Sequence, residues 1–274
     1  MTDQAAGAEW RFPNPATPPG SSAYYAIRFA PAPLRDPLAA LFGWRRQVRA
    51  ILDDVSDPGV ARLKLDWWRD ELARSATGAP RHPLSQALTP TIAEHALPVA
   101  PFLSIAARVE DELRGRRAAD DEAQRQAAQA DLGALFELAA RCHGTSAAAE
   151  LDRARRVGGW CGQVRRIRDA GRLLRRSREV LPESRLAAAG LNHEGLVSRA
   201  QRPRLPELIR PMAETLAAEQ PEDRDLASLP ALLRIQARLH AVLLAELARS
   251  HYAVTDQRIG LTPLRKLWIA WRAR

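Results

Sequence analysis

Residues 163–182 read "QVRRIRDAGRLLRRSREVLP", and the identity of this stretch determines how the rest of the chain is interpreted. It contains seven arginines and two acidic residues, Asp169 and Glu179, and its pattern predicts a helix that continues until Pro182. Such a dense run of arginine is typical of a nucleic-acid contact, of a site for an acidic ligand, or of a solvated helix face. The residues around it are needed to choose among these alternatives.

The composition of the whole chain favours helices. Alanine, leucine and arginine dominate, and β-branched and aromatic residues are sparse. Apolar residues recur at helical spacing, most clearly from Leu229 to about Tyr252. The sequence shows no alternating strand pattern, internal repeat or glycine-rich phosphate loop. We therefore expect an all-α fold.

The N-terminal stretch differs from the rest of the chain in its proline content. Residues 1–20, "MTDQAAGAEWRFPNPATPPG", lack the basic and apolar pattern of a signal peptide, and we predict that they form a disordered tail. Residues 21–274 are expected to form one helical domain, which is long enough to bury a sizeable core.

The net charge and the cysteine content limit which partners and which cellular location are expected. The formal net charge of +9 favours nucleic acid, anionic lipid or phosphorylated ligands as partners; a genome rich in arginine codons is the alternative explanation. The two cysteines, Cys142 and Cys161, lack the spacing of a disulfide framework or zinc site. No apolar run reaches the length that spans a bilayer. We expect a cytoplasmic protein, with peripheral contact to the inner membrane as an option.

An ordered set of segments resembles the squalene/phytoene synthase family of head-to-head prenyl synthases. Its members are "SSAYYAIRFAPAPLRDPLAALFGWRRQVRAILDD" (21–54), "LDWWRDEL" (65–72) with "HPLSQAL" (82–88), "GQVRRIRDAGRLLRRSREVLP" (162–182) and "ALLRIQARLHAVLLAELARSHYAV" (231–254). The resemblance implies a single-domain bundle of the isoprenoid-synthase type around a central apolar cavity. In that family, two Asp-x-x-x-Asp motifs face each other across the cavity, and each spacing of four puts both carboxylates on one helix face. The carboxylates hold Mg²⁺, which carries the diphosphate of the substrate.

This chain departs from both aspartate motifs. Aligned on "RAILD", the first aspartate position is Arg49 and only Asp53 remains; aligned on "DAGRL", Asp169 remains and the last position is Leu173. Arg165 also replaces a polar position. One carboxylate per motif binds Mg²⁺ poorly, and a neighbouring arginine repels it. A shifted alignment offers one further pair four residues apart, Asp53 with residue 57, at a helix end before a proline.

The resemblance supplies the candidate site residues. Asp53 and Asp169 are residual metal ligands. Arginine suits phosphate because its guanidinium is planar and permanently charged. The candidates for binding a diphosphate or another anion are Ser22, Arg46, Arg49, Arg165 and Arg168. Ser22 is equally well explained as a helix cap, and Arg49 as the partner of Asp169 or Asp53 in a buried salt bridge.

Three functions follow as hypotheses. The first is a squalene/phytoene synthase-like protein with little or no Mg²⁺-dependent condensation, which binds an isoprenoid or anionic ligand, or a protein partner near the membrane. Segments such as "VSDPGVARLKLDWWRDEL" (55–72) are similar to the family branch of mitochondrial complex I assembly factors, which supports this by analogy. The alternative is an active prenyltransferase that condenses two prenyl diphosphates with an altered Mg²⁺ site. Non-specific nucleic-acid binding is third; specific recognition is not expected, because no nucleic-acid-binding motif is present.

Overall fold

A computed structural model describes residues 8–198 and 200–274, and within them it contains helices and no strand. This confirms the predicted all-α fold. The α-helices in chain order are α1 Ser22–Arg28, α2 Arg35–Asp54, α3 Pro58–Ala76, α4 Pro83–Glu94, α5 Val99–Leu113, α6 Asp121–Ala128, α7 Ala134–Cys142, α8 Ala148–Arg168, α9 Ala170–Arg175, α10 Glu183–Ala188, α11 His193–Val197, α12 Leu205–Ala218, α13 Asp223–Ala227, α14 Ala231–Arg249 and α15 Pro263–Ala273.

Side-chain caps fix where several helices begin. Ser21, rather than Ser22, caps α1: its Oγ accepts a hydrogen bond from the backbone N–H of Tyr24 at 3.0 Å. Asp57 caps α3 in the same way, with Pro58 at the first helical position. Thr262 caps α15. Such caps satisfy N–H groups that the first turn of a helix leaves without intrahelical partners.

The predicted disorder of residues 1–20 is wrong for residues 8–20, while residues 1–7 lie outside the described residues. A 3-10 helix spans Ala8–Trp10, and the indole of Trp10 is only 5% exposed. The buried Asn14 amide donates to the carbonyl oxygen of Ala39 in α2 at 2.8 Å. Burial of one large aromatic ring and this satisfied polar contact attach the proline-rich segment to the domain.

The arginine-rich stretch is not one continuous helix to Pro182, as the sequence pattern predicts. The helical run breaks at Asp169 and ends with α9 at Arg175. At Gly171 a Cβ atom would lie 2.2 Å from the carbonyl oxygen of Val254, so the backbone of α9 packs directly on that loop. Beyond α9, Ser177 has φ of 51°, and the next residue, Arg178, lies 3.3 Å from Asp53 in α2.

The buried apolar side chains form one continuous core that includes residues from α1 to α15. Near its centre, α8 packs against a π-helical turn at Gln129–Gly133, which joins α6 to α7. Glycines make this contact close: a Cβ atom at Gly158 would lie 2.7 Å from the Cα of Gly133. The close approach brings Asp131, in the turn, to the same cavity as Arg165, on α8.

Among the described residues, no helix has both the length and the apolar character needed to cross a membrane.

Candidate functional site

A cavity of about 620 Å³ lies between α2, α5, α8, α9 and α14. Its wall is mainly charged, whereas the sequence predicts an apolar cavity. The cationic lining residues are Arg45, Arg46, Arg49, Arg108, Arg165, Arg166, Arg168, Arg172, Arg178, Arg258 and Lys266. The acidic ones are Asp53, Asp54, Glu112, Asp131, Asp169 and Glu179. Because cations outnumber carboxylates, the cavity is suited to an anion.

Asp131 is the centre of the first charge cluster in the wall. Arg45 reaches it with both prongs of the guanidinium, since Nε donates to Oδ1 and Nη2 to Oδ2, each at 2.7 Å. Arg49 Nη1 donates to the same Oδ2 at 2.9 Å, and its Nη2 donates to Glu112 Oε1 at 3.0 Å. Arg49 therefore pairs with Asp131 and Glu112, and the predicted pairing with Asp169 or Asp53 is wrong.

A second cluster surrounds Asp53, the carboxylate that remains of the first aspartate motif. Arg176 lies 2.6 Å from Asp53 Oδ1, and Arg172 and Arg178 each lie 3.3 Å from its oxygens. Arg178 also donates to Glu112 and so joins the two clusters. Of the arginines in residues 172–178, Arg178 is largely buried, whereas Arg172, Arg175 and Arg176 remain exposed to solvent.

The pKa values of these carboxylates follow from their surroundings. Burial alone would raise the pKa of Glu112, but Arg49 and Arg178 lower it to about 2. Asp131 shows the same opposition, and Arg45 and Arg49 hold its pKa well below its ordinary value. Burial disfavours the charge of Arg49, yet Asp131 and Glu112 raise its pKa above normal. All these groups are therefore charged at neutral pH.

Asp169, the remaining carboxylate of the second motif, is held by two arginines. Arg168 Nε donates to Asp169 Oδ1 at 2.9 Å, and Arg258 Nε donates to the same oxygen at 3.1 Å. Burial opposes ionisation of Asp169, but its arginine neighbours lower the pKa to about 2. The guanidinium of Arg168 is therefore already paired with a carboxylate of the protein, that of Asp169.

Arg165 differs from its neighbours, because no carboxylate within the described chain lies at ion-pairing distance from it. Arg166 and Arg168 on the same helix are both paired. Burial, followed by repulsion from Arg45 and Arg168, lowers the pKa of Arg165 to about 9. The group stays protonated at neutral pH, so a largely buried positive charge faces the cavity without a counter-charge in contact.

Ser22 and Arg46, two of the candidates for anion binding, also line the cavity. Arg46 is exposed, and the described residues include no ion-pair partner for it. His240 closes the wall on the α14 side. Its Nδ1 lies 2.7 Å from the carbonyl oxygen of Gln236, and burial lowers its pKa to about 3, so the ring is neutral. A neutral imidazole adds polarity to the cavity without adding charge.

The arrangement does not suit the Mg²⁺ that the family fold implies. Asp53 and Asp169 would be its ligands, but arginines already occupy their oxygens. Arg49 stands where a further carboxylate is needed. Nowhere in residues 8–198 and 200–274 do three His, Cys, Asp or Glu side chains converge in a way that would hold a metal ion. Asp57, the member of the shifted pair, caps α3 instead.

The family model described as squalene/phytoene synthase matches residues 16–266 of this chain. The chain belongs to the squalene/phytoene synthase family. Among curated proteins no sequence match is found.

Solved structures share this squalene/phytoene synthase fold at low sequence identity. A dehydrosqualene synthase in complex with a ligand superposes with a TM-score of 0.76 at 17% identity, covering 92% of this chain and 90% of that one. Squalene synthase HpnC from Alicyclobacillus acidocaldarius gives 0.67 at 19% identity, covering 86% and 92%. YisP from Bacillus subtilis subsp. subtilis strain 168 gives 0.61 at 15%, covering 91% and 89%. The match to the complex I assembly branch stays a prediction.

Several residues of this squalene/phytoene synthase-type cavity were not found from the sequence. Asp131, Glu112 and Arg45 carry the first charge cluster, and Arg258 and Lys266 line the cavity from the C-terminal part of the chain. Of these, Asp131 carried a signal: it is an acidic residue between apolar ones in "ADLGALF", where a solvated helix face is not expected. The others lie in segments that the family motifs do not mark.

Proposed function

We propose that this member of the squalene/phytoene synthase family binds a prenyl diphosphate, or a related phosphate ester, and carries out little or no Mg²⁺-dependent condensation. The observation that carries the proposal is the charge of Arg165, which faces the cavity without a carboxylate in contact. A diphosphate brought to this position supplies the missing negative charge.

In this proposal, arginine side chains bind the diphosphate in place of a metal ion. The exposed Arg46 stands at the same cavity and adds a second cation that is not committed to a protein carboxylate. Guanidinium groups bind phosphate oxygens through paired hydrogen bonds and need no deprotonation or metal. Binding through Arg165 and Arg46 leaves the clusters around Asp131 and Asp53 intact.

The cavity also offers a place for a hydrocarbon tail. Phe42, Leu132, Phe136 and Leu173 line it beside the charged groups. Its volume of about 620 Å³ falls within the range of small-molecule sites. Leu173 is aligned with the last aspartate of the second motif. A leucine at this position therefore replaces a metal ligand with an apolar side chain in the cavity wall.

Calorimetric titration with farnesyl diphosphate, pyrophosphate and farnesol, each with EDTA and with Mg²⁺, tests the proposal. We expect farnesyl diphosphate to bind in EDTA and farnesol to bind more weakly, because it lacks the charged head. Arg165→Met should weaken diphosphate binding by roughly 10- to 100-fold, since it removes a hydrogen-bonding charge.

Arg156→Met is the matched control. Arg156 lies on the same helix, is exposed, pairs with Asp152 four residues before it, and lies outside the cavity. Its substitution should leave the affinity unchanged within about twofold. Binding that requires Mg²⁺, or equal loss in both variants, would contradict the proposal.

Active condensation with an altered metal site is the second candidate. The observation in its favour is that Asp53 and Asp169 line one cavity, as the two aspartate motifs of the family require. Incubation with farnesyl or geranylgeranyl diphosphate and Mg²⁺, followed by product extraction, decides between the two. A squalene- or phytoene-type product above the level of an Asp53→Asn, Asp169→Asn variant would replace the first proposal with this one.

A further inference from the structure

Helix α15 presents an uncovered apolar face to solvent. The exposed fractions are 80% for Leu264, 37% for Leu267, 56% for Trp268 and 53% for Trp271. At about 100° per residue these four side chains fall within an arc of roughly 100° on the helix. The opposite side of α15 carries Ile269 and Ala270, which are buried against the domain. Four large exposed apolar side chains on one face of a helix are unusual for a protein surface that contacts only water.

Cations flank this face on both sides. Arg272 lies with its guanidinium carbon 4.9 Å from the centre of the Trp268 ring, and Arg274 lies 5.5 Å from that of Trp271. The sequence from residue 257 to residue 274 contains five basic residues and no acidic one. An apolar face with tryptophans and a basic rim is the pattern of a helix that lies in the interface of an anionic bilayer.

We infer that α15 docks this protein on the surface of a membrane that contains anionic lipid. Leu264, Trp268 and Trp271 enter the boundary between headgroups and acyl chains, and Arg272 and Arg274 contact the lipid phosphates. The docking is peripheral, because the helix is too short to span a bilayer. It does not depend on which ligand the cavity binds.

Charge complementarity favours lipid over a second copy of the chain. A two-fold contact through this face would bring Arg272 and Arg274 of one copy close to the same residues of the other. With a net charge of +9, two copies also repel each other over longer distances. An anionic bilayer reverses the sign of both effects.

The docking face and the cavity lie on different sides of the same helix. Lys266 points inward, lines the cavity and donates from Nζ to the carbonyl oxygen of Gly20 at 2.9 Å. Arg258, also in the cavity wall, precedes α15 in the chain. A protein docked through α15 therefore holds the cavity close to the bilayer surface, where apolar chains with phosphate heads are found.

Vesicle co-sedimentation tests the inference, with phosphatidylcholine vesicles compared with vesicles that also contain phosphatidylglycerol. The wild-type chain should associate with the anionic vesicles and much less with the neutral ones. Combined Leu264→Ser, Trp268→Ser and Trp271→Ser should reduce association at least about tenfold. Arg272→Gln with Arg274→Gln should reduce it on the order of thirtyfold, and added salt should reduce wild-type binding.

The matched control is Val60→Ser with Leu63→Ser on α3, where both residues are exposed and apolar. It should associate as the wild type does. A second measurement is made first on the folded wild-type protein, whose tryptophan fluorescence dibrominated lipids should quench. Trp268→Phe with Trp271→Phe should remove most of this quenching.

Three results would overturn the inference. They are absence of association between the wild-type chain and anionic vesicles, equal association of the serine variant, and a wild-type dimer that the serine variant converts to a monomer. The last would assign the face to a second copy.

Discussion

Arg49 Nη1 donates to Asp131 Oδ2 at 2.9 Å, so a cation of α2 is bound to a carboxylate in the turn between α6 and α7. The two residues lie 82 positions apart in the sequence. The wall of the cavity is therefore joined by ion pairs between helices, and its stability should depend on them.

Asp131→Asn should destabilise the fold by about 3–5 kcal/mol, because it leaves Arg45 and Arg49 buried with reduced compensation. Urea denaturation measures this as a lower midpoint at an unchanged slope. The control is Asp66→Asn: Asp66 pairs with Arg69 one turn along α3 and is 63% exposed. It should cost less than about 1 kcal/mol. An equal loss of unfolding free energy in the two variants would contradict the prediction that the ion pairs of Asp131 matter more than an exposed pair.

Stability should fall in acid. The pKa of Glu112 is lowered from 4.5 to about 2 and that of Asp169 from 3.8 to about 2 in the folded protein. A carboxylate with a lowered pKa stabilises the fold above its unfolded pKa and loses this contribution as pH falls through its folded pKa. The loss should therefore occur between about pH 4.5 and pH 2. Denaturation measured across this range should show a smaller decrease in the free energy of unfolding for Glu112→Gln than for the wild type, by about 3 kcal/mol at most. The same dependence on pH in both proteins would contradict this role of Glu112.

Arg165→Met should raise the stability of the ligand-free protein. The lowered pKa of Arg165 means that its charge opposes folding at every pH below about 9, so removal of the charge should stabilise by roughly 1–3 kcal/mol. Thermal unfolding in a buffer free of phosphate, at low salt, measures the change. Arg156→Met on the same helix should change stability by less than about 0.5 kcal/mol. A destabilised Arg165→Met protein would mean that the arginine has a structural partner.

Two glycines near the arginine-rich stretch should respond differently to alanine. A Cβ atom at Gly171 would lie 2.2 Å from the carbonyl oxygen of Val254 and 2.3 Å from that of Thr255. Gly171→Ala must move α9 or the loop, and we expect a loss above about 2 kcal/mol. At Gly162, in the middle of α8, the nearest atoms would lie 3.5 Å away. Gly162→Ala should be neutral or stabilise by up to about 1 kcal/mol. Similar midpoints for the two variants would contradict the close packing of α9.

The sequence predicted the helix from Leu229 to about Tyr252 well, because apolar spacing alone marks it, and α14 Ala231–Arg249 lies there. It failed where tertiary contacts decide the backbone: the break at Asp169 and the end of α9 depend on the loop at Val254, which is distant in the sequence. The candidates for anion binding, Ser22, Arg46, Arg49, Arg165 and Arg168, all line one cavity. The partners Asp131 and Glu112 were missed, because ion pairs between helices leave no pattern along one chain. The role of the cavity residues in binding stays a prediction.

The π-helical turn at Gln129–Gly133 makes the chain sensitive to its exact length at this point. The extra residue in the turn sets the rotation of Asp131 relative to α7, so that Asp131 reaches Arg45 and Arg49 while Phe136 stays buried. Deletion of one residue would restore regular α-helix and rotate one side relative to the other by about 100°. Either Asp131 or the apolar face of α7 would then point the wrong way. Related sequences that keep this charge cluster should therefore have no single-residue gap between α6 and α7, even where the side chains differ.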